Sequence, residues 1–275
     1  MRATRANPLH SDWRSQFDRF GYVFLGRMLS DEQVEEARTH LTRMFMQLHP
    51  ALRPDEIYSA HQQEPWLLDM ATNTNLLDAV ERVIGTNIVL WSTHLICKPP
   101  HTGRAIPWHQ DGTYWNLTGP MVSVWLTFDD VDDENGTMYV LPGHHKRVFG
   151  RRATGDEFFD EEIKPDSLPE DIDDRAIAYR LRAGEAAMHH VLIPHRSPPN
   201  RSNDRWRRVL VLRYMTSDGE MGPKQYPDYR TNEPFDRQYI LVRGTDDHSR
   251  GLVSLTDLRQ SMRAARTPHT RASLP

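Results

Sequence analysis

The spacing of apolar residues predicts two helices in the first third of the chain. The first runs from about Asp31 to Leu48, where Ser30 can cap the amino end and Gln33 completes a capping box. Its apolar residues recur at helical spacing and predict one buried face: Val34, Ala37, Leu41, Met44, Phe45 and Leu48. A second helix is predicted at residues 76–84, and Gly85 is placed to end it.

After residue 85 the pattern changes to short segments rich in β-branched and aromatic residues. The predicted strands are 87–98, 121–128, 137–141, 176–182, 185–190 and 208–215. The Asn135-Gly136 pair before the third of these predicts a tight hairpin turn. Short strands after an N-terminal helical segment, with little helix between them, indicate an antiparallel sandwich or jelly roll.

These patterns predict a single domain over residues 1–275, mainly β with flanking helices. An N-terminal helical segment, 1–86, precedes a jelly-roll core at 87–216, and residues 217–275 form a C-terminal extension. The core carries an insertion at 145–175 that is dense in Asp and Glu. We expect it to be a solvated loop, or alternatively a lid over a site. The polar tail from about Arg263 to Pro275 is predicted to be disordered.

Composition narrows the classes of partner. The 275 residues carry a formal net charge of -4, so no basic excess predicts nucleic-acid binding. No apolar run approaches the ~18 residues that a membrane span needs, and no apolar stretch follows the arginines of residues 1–10 as in a secretory signal. Cys97 is the one cysteine, which excludes an internal disulfide and favours a reducing cytoplasm. The composition therefore favours neither nucleic-acid nor membrane binding, and the sequence contains no signal for an oligomeric state.

Trp108-His109-Gln110-Asp111 is the local feature that points most directly to chemistry. On an extended backbone, residues two apart point to the same face, so His109 and Asp111 can reach one metal ion together. With a second histidine they would form a facial triad, which leaves coordination positions of Fe(II) open for a co-substrate and O₂. A bare His-x-Asp pair is weak evidence on its own, because structural pairs of this kind are common.

The second histidine comes from residues 184–208. His195 follows an apolar run at the expected rim of a sandwich, although a loop histidine with a backbone hydrogen bond fits the same pattern. At least one of His189 and His190 is expected to be a packing residue. Arg207 and Arg208 begin the last predicted strand, so their side chains point to opposite faces and only one can meet a buried carboxylate.

Four segments together resemble the phytanoyl-CoA dioxygenase family of Fe(II)- and 2-oxoglutarate-dependent oxygenases. They are LICKPPHTG, WHQDGTYW, VWLTFDDVDDENGTMYVLPGHHK and the stretch from Gly184 to Tyr214. The resemblance covers most of residues 87–216 and implies a double-stranded β-helix fold. It implies that His109, Asp111 and His195 bind iron. It also places Lys98, Ser197 and Arg207 at 2-oxoglutarate, with Arg208 as the alternative to Arg207.

The resemblance also sets the expected reaction. Asp111 is intact, whereas related halogenases replace this carboxylate, so we expect a hydroxylase-type dioxygenase. It would hydroxylate an unactivated C–H bond of a small metabolite or natural-product intermediate with O₂, releasing succinate and CO₂. Desaturation, ring closure and epimerisation begin from the same cofactors. The candidate substrate residues are Tyr58, His61, Gln62, Trp108, Tyr114 and Trp115.

Two other classes of protein fit parts of the pattern. A non-redox, cupin-like isomerase or hydrolase could use the same ligands for Zn(II) or Mn(II), but it would have no need for a buried arginine that binds a carboxylate. In a jelly-roll binding protein without activity, the three ligand residues would be the remnant of an ancestral metal site. A measured dependence on 2-oxoglutarate would exclude the first class, and stoichiometric binding of iron would exclude the second.

Overall fold

The computed structural model describes residues 12–101, 103–115, 117–156 and 159–266. Its α-helices are α1 (Trp13–Phe20), α2 (Asp31–Met46), α3 (Pro65–Ala71), α4 (Thr74–Ile84), α5 (Ile172–Arg175) and α6 (Leu255–Arg266). The Ser30–Gln33 capping box is confirmed at the start of α2. Gly85 ends α4 with a positive φ of 96°, a backbone conformation that glycine adopts without strain.

Most strands belong to two sheets. The strands are β1 (Tyr22–Arg27), β2 (Ile57–Tyr58), β3 (Ile88–Leu95), β4 (Ile106–His109), β5 (Met121–Thr127), β6 (Tyr139–Val140), β7 (Arg151–Ala153), β8 (Glu161–Ile163), β9 (Ile177–Ala178), β10 (Glu185–His190), β11 (His195–Ser197), β12 (Val209–Thr216), β13 (Gln225–Pro227), β14 (Pro234–Asp236), β15 (Ile240–Arg243) and β16 (Val253–Ser254). The larger sheet has the order β1-β10-β5-β12-β3-β15-β16, with β2 also paired to β3. The smaller sheet has the order β4-β11-β6-β9. This arrangement confirms the predicted jelly roll with flanking helices.

The large sheet separates two apolar regions, and the alternation along β12 shows how. Leu210, Leu212 and Tyr214 belong to the main core, which includes buried residues of α2, α3 and α4. Val209 and Val211 belong to a second cluster that also contains Val140 of the smaller sheet. Because side chains alternate along a strand, Arg207 and Arg213 share the face of Val209 and Val211. Both arginines therefore point between the two sheets.

The segment predicted as helical before residue 86 contains sheet as well as helix. Tyr22–Arg27 forms β1 and pairs antiparallel with β10, and Ile57–Tyr58 forms β2 against β3. Sequence periodicity missed β2 because two residues carry no measurable alternation. It missed β1 because all its residues before Gly26 are apolar. Beyond the core, β15 also joins the large sheet, so the C-terminal extension contributes structure to the same sheet.

The predicted hairpin at Asn135-Gly136 is wrong. The turn exists, but β5 before it lies in the large sheet and β6 after it lies in the smaller one, so the two strands do not pair. Asn135 is fully buried, and its side-chain amide donates to the carbonyls of Asp130 and Trp206. The turn therefore carries the chain from one sheet to the other.

The acidic insertion contains more regular structure than the solvated loop predicted from its composition. β7 and β8 form a short antiparallel hairpin, and α5 follows it. The predicted disordered tail lies largely outside the described residues, as does the N-terminal segment up to residue 11. Among the described helices, none combines the length and apolar character that crossing a bilayer requires.

His61 is a core residue, which corrects its assignment to the substrate wall. Its side chain is fully buried, and its Nδ1 lies 3.0 Å from the Thr93 hydroxyl. Burial lowers the pKa of His61 to about 3. Burial, followed by the Arg213 charge, lowers the pKa of His94 to about 3 as well.

These buried histidines predict a loss of stability in acid. An unfolded histidine binds a proton below pH ~6.5, whereas the folded protein holds both rings neutral down to about pH 3. The unfolded state therefore binds more protons in this window, and the free energy of unfolding should fall as pH falls. Each ring contributes up to about 1.4 kcal/mol per pH unit. Urea unfolding of the metal-free protein between pH 7 and 4.5 measures this slope.

The matched comparison is His61→Gln against His248→Gln, since His248 is exposed. We expect a shallower slope only in His61→Gln. Equal slopes in the two variants and the unsubstituted protein would contradict this account.

Candidate metal centre

Two histidines from distant parts of the chain meet as partners in the smaller sheet. His109 ends β4 and His195 opens β11, and the two residues are paired across the antiparallel ladder. Their ring centroids lie 4.0 Å apart. Because directly opposed residues point to the same face, strand pairing alone brings the two imidazoles together. His195 was expected where a strand ends, whereas β10 ends at His190 and His195 begins the next strand.

Backbone contacts fix the orientation of both rings. Nδ1 of His109 lies 2.9 Å from the carbonyl oxygen of Pro107, and Nδ1 of His195 lies 3.0 Å from that of Ile193. A carbonyl oxygen only accepts, so each Nδ1 carries the proton and donates. Each Nε2 is then left with a lone pair. Burial, followed by the charge of His109, lowers the pKa of His195 well below its usual range, which keeps this ring neutral at physiological pH.

Asp111 completes the cluster. Its Oδ1 lies 3.5 Å from Nε2 of His109 and 3.9 Å from Nε2 of His195. Oδ2 accepts from Nη2 of Arg213 at 3.4 Å. Burial alone would raise the pKa of Asp111, but the charge of Arg213, the largest opposing influence, helps to hold that pKa well below its usual range. The carboxylate is therefore ionised at neutral pH.

This donor set is suited to a divalent transition metal. One potential ligand atom from each of His109, Asp111 and His195 lies within 4.8 Å of the others. Two neutral imidazoles and one carboxylate on one side of an ion form the facial triad that non-haem Fe(II) oxygenases use. The histidine hydrogen bonds to backbone carbonyls are the supporting contacts typical of metal ligands.

Gln110, between the two ligands of the motif, is a structural crosslink. It is almost completely buried, and its Nε2 donates to the carbonyls of Arg147 and Leu192 at 2.7 and 2.6 Å. Its Oε1 accepts from the amide of Phe149 at 2.9 Å. One side chain therefore ties β4 to the loop before β7 and to the segment that leads into β11.

The two candidate arginines have different environments. Arg207 is 1% exposed, lines the cavity beside the histidines, and donates to the carbonyls of Gly136 and Ile96. Burial lowers the pKa of Arg207 to about 10, which still leaves it charged at neutral pH. Its Nε has no hydrogen-bond partner among the described residues. Arg208 instead forms a two-point ion pair with Asp129, at 2.6 and 3.0 Å, and does not line the cavity.

Lys98 and Ser197 lie near Arg207. Lys98 and Arg207 form an isolated antiparallel bridge, so their side chains leave the backbone on the same side. Nζ of Lys98 donates to the Ser197 hydroxyl and to the carbonyl of Pro198, both at 2.7 Å. Ser197 lines the cavity, whereas Lys98 does not. Lys98 therefore approaches the cavity through the Ser197 hydroxyl, and its assignment to 2-oxoglutarate stays a prediction.

The cavity that contains the triad has a volume of about 650 Å³. Of the six residues predicted to contact substrate, Tyr58, Tyr114 and Trp115 line it. Trp108 does not, because it points to the opposite face of β4 from His109, where Arg196 covers its ring. Gln62 does not line it either, because its side chain bonds to the backbone on both sides of Arg237. His61 is the core residue described above.

Several cavity residues were missed from the sequence: Trp91, His94, Trp125, Phe159, His189, Arg213, Tyr226 and Arg237. Arg213 could have been found, because it alternates with Arg207 along one strand. Phe159 comes from the acidic insertion, and its ring lies edge-on to His109 at 4.5 Å. The insertion therefore does line the site, although its opening or closing stays a prediction. Tyr226 and Arg237 lie in the C-terminal extension, which carries no recognisable motif.

Comparison with known proteins identifies one matching family. A profile of the family described as phytanoyl-CoA dioxygenase matches residues 17–209. A probable alpha-ketoglutarate-dependent hypophosphite dioxygenase of Stutzerimonas stutzeri is 29% identical over 179 residues, which span 63% of this chain and 62% of that protein. The L-proline trans-4-hydroxylase of Streptomyces griseoviridis is 27% identical over 229 residues, covering 74% of this chain and 85% of that protein.

Among solved structures, the apo form of the non-heme monooxygenase ThoJ has a similar fold. It is 25% identical, with a TM-score of 0.71 and 92% coverage of both chains. The high coverage means that the similarity extends beyond residues 17–209, which the family profile matches.

Removing the Gln110 crosslink should loosen the metal centre. Gln110→Ala leaves two carbonyls and one amide without partners in the interior, which should lower the free energy of unfolding by about 2–5 kcal/mol. Because the crosslink holds both ligand-bearing segments, we also expect metal affinity to fall about tenfold or more. Urea unfolding and competition with a metal-binding dye measure the two effects. Gln260→Ala, at an exposed position of α6, is the control. Unchanged metal affinity in Gln110→Ala would refute the proposed coupling.

Proposed function

Because the chain belongs to the phytanoyl-CoA dioxygenase family, we propose that it is an Fe(II)- and 2-oxoglutarate-dependent dioxygenase acting on a small molecule. The observation that carries the proposal is the cluster of His109, Asp111 and His195, in which both imidazole Nε2 atoms face one ionised carboxylate. The names of the relatives support the same class, since one is an alpha-ketoglutarate-dependent dioxygenase and another a hydroxylase.

His109, Asp111 and His195 would hold the iron. When bound with 2-oxoglutarate, iron supplies the activation of O₂ that removes hydrogen from a substrate C–H bond, with release of succinate and CO₂. The protein residues keep the ligands in the correct protonation state. The carbonyls of Pro107 and Ile193 hold the two protons on Nδ1, and Arg213 stabilises the Asp111 carboxylate. No side chain is needed as a general base.

Arg207 is the group that favours 2-oxoglutarate as co-substrate. Its guanidinium is buried in the cavity wall and pairs with no carboxylate among the described residues. An unpaired buried cation is unfavourable by several kcal/mol unless an anion joins it. The free carboxylate of 2-oxoglutarate would supply that anion. Ser197, held by Lys98, would add a hydroxyl donor to the same carboxylate.

The aromatic residues that line the cavity favour a compact organic substrate. Tyr114, Trp115 and Phe159 line the cavity, and aromatic walls exclude water from the reacting C–H bond. Hydroxylation is the reaction that we propose, because the third iron ligand is a carboxylate and not a halide site. A non-redox metal enzyme would leave Arg207 without a function, which is why we prefer the oxygenase.

Anaerobic reconstitution with Fe(II) and 2-oxoglutarate tests the metal centre. We expect the weak visible charge-transfer band of the chelate in the unsubstituted protein. The band should vanish in His109→Ala and Asp111→Ala, because each removes one ligand of the triad. His144→Ala is the control, since its ring bonds to the Pro142 carbonyl and does not line the cavity. Iron binding without a band, and without consumption of 2-oxoglutarate, would favour a non-redox metalloenzyme instead.

The two arginines give a separate test of the co-substrate site. Arg207→Gln should raise the 2-oxoglutarate concentration for half-maximal band intensity by about a hundredfold, because a buried two-point ion pair is lost. Arg208→Gln should leave that concentration unchanged and should lower only stability, through the loss of Asp129 as a partner. Equal effects of the two substitutions on 2-oxoglutarate binding would overturn the assignment.

A further inference from the structure

Arg237 is a second unpaired cation in the same cavity. Its Nε and Nη1 are buried and have no hydrogen-bond partner among the described residues. Aromatic rings surround the guanidinium, whose central carbon lies 5.3 Å from the centroid of Trp91, 5.4 Å from Tyr239 and 6.0 Å from Tyr226. Such contacts can hold a cation in place, but they do not satisfy its N–H donors.

The backbone at Arg237 is fixed from both sides. The side chain of Gln62 donates to the carbonyl of Asp236 at 3.0 Å and accepts from the amide of Gln238 at 3.1 Å. The amide of Arg237 donates to the carbonyl of Lys224 at 2.8 Å. The guanidinium is therefore carried on an anchored segment.

The other arginines of the cavity are already engaged. Arg196 pairs with Asp173, Arg213 pairs with Asp111, and Arg207 is the proposed partner of 2-oxoglutarate. Asp160 is the one carboxylate besides Asp111 among the described lining residues, and it forms no ion pair with Arg237. Exposed Lys224 adds a further positive charge to the wall. Arg237 thus has donors available for a ligand that is not 2-oxoglutarate.

Arg237 is also close to the metal centre. Arg213 lies against the ring of Trp91 at 5.9 Å, and Arg237 lies against the same ring. Arg213 in turn touches Asp111. Arg237 and the metal ligands therefore line one cavity and are linked through Trp91 and Arg213.

We propose that Arg237 binds an oxyanion of the substrate, so that the substrate class is a small carboxylate or phosphonate with an apolar body. The proposal rests on the oxygenase function above and adds its substrate class. Arg237 presents a planar set of donors, which matches a carboxylate or phosphonate at two points. Trp91, Trp115 and Tyr226 provide the apolar walls on either side, and they place the body of the substrate towards His109 and His195. Arg237 is on this account a specificity residue that touches substrate, and Gln62 is a positioning residue that acts through it.

Matched probes test the charge requirement directly. The anaerobic complex with Fe(II) and saturating 2-oxoglutarate would be titrated with phenylacetate, benzylphosphonate and neutral phenylacetamide by calorimetry, while the charge-transfer band is followed. In the unsubstituted protein we expect at least one of the two anions to bind about tenfold or more tightly than the amide. The phenylacetate and benzylphosphonate arms distinguish the two oxyanions. A band of unchanged intensity shows that the probe has not displaced 2-oxoglutarate from Arg207.

Arg237→Gln should remove the preference for the anion, leave the band intact and not lower thermal stability, and Arg237→Lys should restore part of the preference. Gln62→Ala should weaken the same preference without altering amide binding. Arg230→Gln is the matched control, because Arg230 pairs with Asp228 outside the cavity and should change nothing. The inference is overturned if neither anion exceeds the amide, if the preference persists in Arg237→Gln, or if Arg237→Gln abolishes the band. If the unsubstituted protein shows a normal band but no preference for the anion, only this inference is wrong. If the unsubstituted protein shows no band, the proposed function is wrong.

Discussion

The pairing of β4 with β11 is the interaction on which the site depends. It joins residues 86 positions apart in the chain, His109 and His195, as direct neighbours on one face of a sheet. The buried Gln110 amide reinforces this pairing, because it donates to the carbonyl of Leu192 before β11 and also bonds to Arg147 and Phe149 before β7. The resulting frame is rigid before any metal binds, so the ligands need little reorganisation to coordinate one.

The second organising feature is an excess of guanidinium over carboxylate between the two sheets. Arg207 and Arg213 are carried on one face of the segment leading through β12, and Arg237 reaches the cavity from the C-terminal extension. Burying Arg207 and Arg237 without a carboxylate partner costs stability, and their cation–π contacts with Trp125 and Trp91 offset only part of that cost. Protein stability and ligand occupancy are therefore linked, because each anion that binds also relieves an unfavourable charge.

Features formed by residues close together in the sequence could be predicted, whereas contacts between distant residues could not. The capping box of α2 and the strand at Met121–Thr127 were predictable because both are local patterns. The His-x-Asp spacing predicted that two side chains share a face, but only the fold shows that His195 is the cross-strand neighbour of His109. Strand alternation left Arg207 and Arg208 equivalent, since it gives opposite faces without saying which face is inside. Asp129, 79 residues away along the chain, pairs with Arg208, which favours Arg207 as the partner of 2-oxoglutarate; that assignment stays a prediction.

The cavity wall is formed by residues from two parts of the chain, which can change independently in evolution. The groups assigned to iron and 2-oxoglutarate lie between Lys98 and Arg207, inside the region that the family profile matches, whereas Tyr226 and Arg237 lie beyond its end at residue 209. Mutations in the later segment can therefore change which molecules are accepted while the oxygen chemistry is inherited unchanged. A lineage could exchange one acid for another, or a charged substrate for a neutral one, through a few substitutions around Arg237 and without passing through an inactive ancestor.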